Sequence, residues 1–280
     1  MDLKEYFQAN PEIAIAFSGG TDSAYLLYMA KQYAKKVDAI YCQSVFQPSF
    51  ELEDAKKFCN KYHIPLTIIQ VDILSVSQIR ENPENRCYLC KRTMLHAILE
   101  KAQQLGYSVI ADGTNASDLE SERPGMRAIE ELKVVSPLRL CNLTKDEVRE
   151  HSDKLSLFTA NKPSYSCLAT RIPTETPITI GLLDIVEQCE NYLHQLGFVD
   201  YRVRIYYDAL LIQVPEEQYQ RILEYRNEIL MIFLQFRKRI ILDLLPRNES
   251  TSKHLAPQTN STSTQKEEPS LWNPKQLKEY

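Results

Sequence analysis

The chain has 280 residues, 44% of them hydrophobic and 25% charged, with 33 Lys and Arg against 37 Asp and Glu for a formal net charge of −4. That is enough for one large domain or two smaller ones around a real apolar core, with the composition of an ordinary globular protein. The acidic balance speaks against a nucleic-acid enzyme, which needs a cationic excess or patch, and no stretch reaches the roughly 20 apolar residues of a membrane span.

The N-terminal MDLKEYFQAN reads as a short amphipathic helix, without the apolar stretch and small-residue cleavage site of a secretory signal. The seven cysteines are an odd number with no export signal beside them. They point to reduced, catalytic or metal-bound thiols in a cytoplasmic protein. Residues 13–17 (IAIAF) form a buried-strand run that leads straight into SGGTDS at 18–23. A helical pattern follows through 33, with Ala24, Leu27, Tyr28 and Met29 apolar. Then come a strand over 39–45, a helix over 52–62, a strand over 66–71, a helix over 90–105 and a strand over 108–111 that runs into DGTN. Strands and helices alternating at this spacing predict an α/β fold, a parallel sheet with helices on both faces. TKDE at 144–147 is a capping box that opens a further helix through 155.

After about residue 175 the rhythm changes. A long amphipathic helix over 179–196, a hairpin over 201–206 and 209–214, a helix over 216–235 and a strand over 239–244 suggest a smaller α+β domain. From 247 the chain is polar with almost nothing to bury, so it reads as a disordered tail. The expected organisation is therefore a first domain over 1–175, a small domain over 176–246 and a tail over 247–280.

The turn formed by Ser18, Gly19, Gly20, Thr21, Asp22 and Ser23 lies where a strand becomes a helix, the place where backbone N–H groups and the helix dipole hold phosphate. Two glycines allow close backbone approach, and the serine hydroxyls add donors. Asp22 suits a divalent cation, here Mg, that screens departing pyrophosphate. The lysine of a Walker loop is missing, which disfavours ordinary γ-phosphate cleavage. Asp112, Gly113, Thr114 and Asn115 follow a strand and so lie at the carboxyl edge of the sheet, as either a ligand-binding turn or a plain strand closure.

Cys87 and Cys90 form a CxxC; with five histidines in the chain and no second CxxC, a four-ligand zinc site is poorly supported. Cys167 falls in a loop with Lys162 and Arg171 nearby in sequence, cations that would lower its pKa, or else it is a small buried packing residue. Arg202 and Arg204 share one face of a strand, suited to a phosphate or simply solvated. Cys42, Cys59, Cys141 and Cys189 sit in apolar or amphipathic runs and read as packing residues.

The SGGTDS turn resembles the ATP-binding loop of the PP-loop ATP pyrophosphatase superfamily, whose members cleave ATP to AMP and pyrophosphate to adenylate a substrate. The stretches AIAFSGGTDS, NPENRCYLCKR, DGTNASDLESERPGMRAIEEL, SPL with LTKDEVR, and KPSYSCLATRIP together resemble one family within it. They run over about 14–173 and look like the LarE-type ATP-dependent sulfur transferases. The arginines of YRVRIYYD extend the likeness to about 208.

The resemblance implies ATP and Mg as cofactors, bound by the residues of 18–23 and 112–115. It implies a pyridinium-biscarboxylate mononucleotide as small-molecule substrate, with its phosphate on Arg202 and Arg204. The product would be a thiocarboxylate on the way to the nickel-pincer nucleotide cofactor of lactate racemase, made alongside other enzymes of that pathway. A homo-oligomer is expected.

Two sulfur routes follow from the likeness. In single-cysteine members the equivalent of Cys167 attacks the adenylate and gives up its own sulfur, ending as dehydroalanine. In three-cysteine members Cys87, Cys90 and Cys167 would hold a [4Fe–4S] cluster with one open iron, and the presence of both CxxC cysteines tilts the expectation that way. The competing readings are a PP-loop amidating synthetase, which needs none of these cysteines, a tRNA-thiolating enzyme, against which the acidic balance weighs, and a diverged nucleotide-binding partner protein.

Overall fold

Asp2 starts the first helix, α1 (Leu3–Ala9): its side chain accepts the Glu5 N–H at 2.8 Å while the Glu5 carboxylate accepts the Asp2 N–H at 3.0 Å. The computed structural model describes residues 1–118, 125–163 and 165–247. The tail expected over 247–280 thus lies, beyond Arg247, outside the described residues, as do 119–124 and Ser164 of the stretches quoted above.

Four strands form the first sheet: β1 (Glu12–Ala16), β2 (Lys36–Gln43), β3 (Leu66–Gln70) and β4 (Ile110–Asp112). All pair in parallel in the order β3-β2-β1-β4. Ile13, Ala14 and Ile15 of the central β1 have no exposed surface, as a strand covered on both faces requires. The connections carry α2 (Thr21–Tyr33), α3 (Ser49–Lys61), α4 (Ser77–Arg80) and α5 (Arg86–Gln104). Ala16 is paired with both Ile40 and Asp112, so β1 and β4 end side by side. That register brings SGGTDS and DGTN to one sheet edge.

After β4 come α6 (Met126–Glu131), α7 (Pro137–Leu140) and α8 (Lys145–Lys154). The capping box of Thr144 and Glu147 is present as expected. A short 3-10 turn, Leu168–Arg171, then leads to α9 (Ile180–Gln195). The hairpin β5 (Arg202–Tyr206) and β6 (Ala209–Gln213) is antiparallel, and β7 (Arg239–Leu242) joins β6 in parallel to complete a three-stranded sheet. Between them, α10 (Tyr219–Glu224) and α11 (Arg226–Phe233) replace the single helix expected over 216–235. The break at Tyr225 turns Ile222 from one segment and Ile229 and Phe233 from the other into the core.

One apolar cluster packs α1, α2 and α3 on one face of the first sheet, and a second packs α5 and α6 on the other. A third joins Phe46, Ile73 and Ile79 to Leu168, Ile172, α9 and the second sheet. The boundary expected at 175 separates the two sheets, and this third core reaches across it. Among the described residues no helix is long and apolar enough to cross a membrane.

Candidate functional site

The turn after β1 is drawn tight by its own hydroxyls. Ser18 Oγ and Ser23 Oγ lie 3.0 Å apart, Ser23 Oγ donates to the Gly20 carbonyl at 3.2 Å, and the Gly20 N–H donates to Ser18 Oγ at 3.4 Å. Gly19 has φ +77°, and a Cβ there would stand 3.1 Å from the Glu51 carbonyl oxygen. Only glycine meets both conditions without strain. Gly20 caps α2 with no side-chain hydrogen bond, which leaves the N–H groups of the first turn to an incoming anion. The Thr21 hydroxyl donates to the Thr159 carbonyl at 2.7 Å, pinning the helix start to the chain segment that leads to Cys167. Asp22 is half-buried in that same first turn.

DGTN is welded to this turn. A Cβ on Gly113 would lie 2.8 Å from the Ser23 nitrogen, so the two segments touch through backbone. Asp112 is buried: Oδ1 accepts from Ser136 Oγ at 2.8 Å and from the Thr114 N–H at 3.2 Å. Its Oδ2 accepts from Thr114 Oγ1 at 2.8 Å and from Lys91 Nζ at 3.3 Å. Asp112 therefore orients Lys91 towards the sheet edge. Asn115 has no exposed surface, and its Nδ2 has no hydrogen-bond partner among the described residues.

The helix that carries Cys87 and Cys90 begins at Arg86, four residues before the expected start, so both thiols sit in its opening turns. Arg86 holds it there, donating through Nη1 to Asn82 Oδ1 at 2.6 Å and to the Ala169 carbonyl at 2.9 Å. Its Nη2 donates to Cys87 Sγ at 3.5 Å. Cys87 is exposed, while Cys90 and Cys167 are half-buried. Burial, with Cys167 and Cys87 nearby, pushes the Cys90 thiol up to about 12. Burial also pushes Cys167 up and outweighs the cations beside it, which are Arg86 and Arg171. This corrects the expectation of a pKa lowered by Lys162 and Arg171: Arg171 does pull it down but burial wins, and Lys162 does not act on it. Lys162 Nζ instead lies 2.7 Å from Asp54 Oδ2 and donates to the Gly19 carbonyl at 3.3 Å, at the SGGTDS turn.

Among the described residues no group of three or more Cys, His, Asp and Glu side chains is placed to hold a metal ion. Cys87, Cys90 and Cys167 are near enough together for Cys90 to be pushed up by the other two and Cys167 by Cys87, and none of them is in a disulfide. Cys42, Cys59 and Cys189 are buried in the core as expected, and Cys141 is half-buried.

Arg171, 1% exposed, holds the Cys167 loop in place. It makes a two-pronged ion pair with Glu190 at 2.9 and 3.0 Å, and its Nη1 donates to the Ser166 carbonyl at 2.8 Å and to the Cys167 carbonyl at 3.3 Å. Tyr165 OH also donates to Glu190. The face of Arg202 and Arg204 is not freely solvated: Arg202 is buried and Arg204 half-buried. Arg202 is buried and stacks over the Tyr165 ring at 4.9 Å. Arg204 donates to Gln213 Oε1 at 2.7 Å and to the Thr170 carbonyl at 2.5 Å. Burial, with Arg171 and Arg247 close by, pushes both guanidiniums down to about 10.

Two cavities result. One of about 160 Å³ carries Ser18, Glu51, Lys91 and Cys167 on its wall. The other, of about 360 Å³, is lined by Tyr165, Lys162, Phe198 and Arg202 among others. The sequence candidates of 18–23 and 112–115 therefore meet at one edge, Cys167 shares a cavity with the first of them, and Arg202 opens on the neighbouring one. Glu51 and Lys91 were missed. Pro48, which caps α3, was the readable sign that Glu51 is helical, and Lys91 directly follows the CxxC.

Residues 12–83 match the family described as queuosine biosynthesis protein QueC. An uncharacterized protein of Synechocystis is 34% identical, over 80% of this chain and 84% of its own length. One of Methanocaldococcus jannaschii is 30% identical, over 87% and 93%. The pyridinium-3,5-bisthiocarboxylic acid mononucleotide synthase of Lactiplantibacillus plantarum is 27% identical, over 78% and 79%.

Proposed function

The chain belongs to the LarE-type family of PP-loop ATP pyrophosphatases, enzymes of ATP-dependent sulfur transfer, and from that premise we propose that it turns a carboxylate of a pyridinium-biscarboxylate mononucleotide into a thiocarboxylate. The observation that carries this reading is the cavity with Ser18 on one wall and Cys167 on another. An acyl adenylate formed at the SGGTDS turn would present its carbonyl carbon to a thiol that is already there.

ATP lies with its phosphates on the N–H groups of Gly20, Thr21 and Asp22. Gly19, Ser18 and Ser23 shape that cradle, and Gly113, Thr114 and Asn115 close its far side. Mg, which the family uses with ATP, would be held by Asp22 and the phosphates, where it neutralises charge on the departing pyrophosphate. Lys91, oriented by Asp112, supplies a positive charge beside the reacting carboxyl group. Arg202 and Arg204 take the nucleotide phosphate of the acceptor. In the sacrificial route Cys167 Sγ attacks the acyl carbon and AMP leaves, and loss of the Cys167 Cα proton then breaks its Cβ–Sγ bond, so that the sulfur stays on the acyl carbon and dehydroalanine is left at 167. An iron–sulfur cluster, as the three-cysteine form of the family would have it, would rest on Cys87, Cys90 and Cys167 and would supply the sulfur in place of Cys167's own.

The same reading makes the chain a cytoplasmic homo-oligomer that works with other enzymes of a nickel-pincer pathway, with 1–175 binding ATP and 176–246 binding the acceptor. The experiment incubates the protein with ATP, Mg and the biscarboxylate mononucleotide and follows products and protein mass. AMP and pyrophosphate are expected, with loss of one hydrogen sulfide at position 167 and no thiocarboxylate from Cys167→Ala. ADP and orthophosphate, or a normal rate in Cys167→Ala, would overturn it.

A further inference from the structure

Gly19 and Gly20 let the SGGTDS turn approach a ligand closely, but neither residue has a side chain to hold the plane of the peptide between them. That peptide is trans, as all are among the described residues, so the Gly19 carbonyl and the Gly20 N–H point in opposite directions. The N–H side is the cavity side: it donates to Ser18 Oγ at 3.4 Å, and Ser18 lines the cavity of about 160 Å³ that Cys167 shares. On the carbonyl side stands Lys162, 143 positions further along the chain, whose Nζ donates to the Gly19 oxygen at 3.3 Å.

Lys162 is held there at both ends. Its ammonium group lies 2.7 Å from Asp54 Oδ2 of α3 and 5.5 Å from the centre of the Phe50 ring, and its side chain is only 16% exposed. The backbone beneath it is fixed from two directions. Arg149 of α8 donates through Nη1 to the Ala160 carbonyl and through Nη2 to the Lys162 carbonyl, both at 3.1 Å. The Thr159 carbonyl accepts from the Lys162 N–H at 3.2 Å and from Thr21 Oγ1 at 2.7 Å. A solvated lysine keeps its rotamer freedom, and this one has given it up.

We propose that Lys162 is a positioning residue for ATP, which fixes the Gly19–Gly20 peptide with its N–H turned to the phosphates and strengthens that N–H as a donor. The inference rests on the reading of the SGGTDS turn as the phosphate cradle. A cation at the oxygen end of a peptide polarises it, so the hydrogen at the other end binds an anion more strongly. The Walker lysine that this loop lacks acts by touching phosphate. Lys162 acts through the backbone, from the far side of the peptide, and Asp54 keeps it there.

The test uses the full chain with Mg and α,β-methylene ATP, which cannot be cleaved between the α- and β-phosphorus, and with adenosine as a probe that has no phosphate. Calorimetry compares the parent, Lys162→Met, Lys162→Arg and Asp54→Asn. Lys162→Met keeps the length of the side chain and removes its charge. It should bind the ATP analogue about 10-fold or more weakly, the loss of one charge-assisted hydrogen bond, and adenosine as the parent does. Lys162→Arg should recover most of the analogue affinity, and Asp54→Asn, which keeps the cation but loosens its anchor, should fall between. Hydrogen exchange followed by mass spectrometry on the ligand-free chain gives a second readout. The peptide over 18–23 should exchange faster in Lys162→Met, and α1 at the parental rate. Parental analogue affinity or parental exchange over 18–23 in Lys162→Met overturns the proposal, as does an equal loss of adenosine and analogue, the mark of general loosening. Where Lys162→Met does not fold, the same parental values in Asp54→Asn overturn it. A parent that binds neither probe strikes the ATP reading instead, while exchange over 18–23 still decides whether Lys162 holds the turn.

Discussion

Arg171, Arg202, Arg204 and Arg247 crowd one region of the second sheet, where Glu190, Asp200 and Asp243 are the carboxylates that answer them. Arg171 already takes Glu190 in a two-pronged pair, so Arg202 and Arg204 carry charge that burial and their neighbours make costly. An arriving phosphate would relieve that cost, which is why a buried and a half-buried arginine on one strand face point to an anion. Changing either to Ala should raise KM for the acceptor roughly 10- to 150-fold, the equivalent of a charge-assisted hydrogen bond of about 1.5–3 kcal/mol. KM for ATP should move little, because neither arginine lines the cavity at the SGGTDS turn. Equal changes in both constants would remove the arginines from the acceptor site. Asp22→Asn tests the other end of the reaction. It keeps the shape of the α2 start but removes the charge that would hold Mg on pyrophosphate. Pyrophosphate release measured by a coupled assay should fall at least about 100-fold, and a rate within a few-fold of the parent would mean that the cation is held elsewhere.

At the scale of elements, the site depends on three chain segments meeting closely. Gly113 shows how closely, since any Cβ there meets the backbone of Ser23 at 2.8–2.9 Å. Gly113→Ala must push the first turn of α2 away from β4, an overpacking cost of about 1–3 kcal/mol in urea unfolding together with a loss of pyrophosphate release. Thr144→Ala is the matching control: it removes the α8 cap at about 1 kcal/mol and leaves the site intact. If both lose stability while only Gly113→Ala loses turnover, the close contact and not general weakening sets activity. The parallel sheet, the turn after β1 and the helix opened by Thr144 were all legible, because apolar runs, paired glycines and a capping box are local signals. The early start of α5 was not. It depends on Arg86 reaching Ala169, which lies 83 positions away. The placement of Lys162 failed for the same reason: nearness to Cys167 in sequence says nothing of Asp54 and Gly19, which claim its ammonium group. Glu51 escaped notice because its place on the cavity wall and its raised pKa come from burial, which no local pattern states.

For the whole molecule, the question is whether the part that carries the SGGTDS turn and the part that carries the second sheet are separable. The sheets are distinct, but the core beneath Cys167 is not divided between them. Phe46, Ile73, Ile79, Leu168 and Ile172 all come from before residue 175 and pack on Ile178, Leu183, Val186 and the second sheet. Each is at most 3% exposed. Uncovering five such side chains costs about 1.5–3 kcal/mol apiece, roughly 7–15 kcal/mol together, which rivals the whole stability of a typical domain at about 5–15 kcal/mol. A fragment of residues 1–175 should therefore fail to show cooperative unfolding, although it contains the entire first sheet. Residues 1–247 should unfold in urea in one transition, seen alike by far-ultraviolet circular dichroism and tyrosine absorbance. Tryptophan fluorescence does not serve, since the single Trp272 lies beyond the described residues. The coupling matters for function because Arg171 and Glu190 tie the Cys167 loop to α9, and Arg204 ties the second sheet to Thr170. A shift of the second sheet is thereby a shift of the thiol relative to the SGGTDS turn. Two separate transitions in the chain of 1–247, or a stable fragment of 1–175 that still releases pyrophosphate, would show that the thiol is positioned by the first sheet alone.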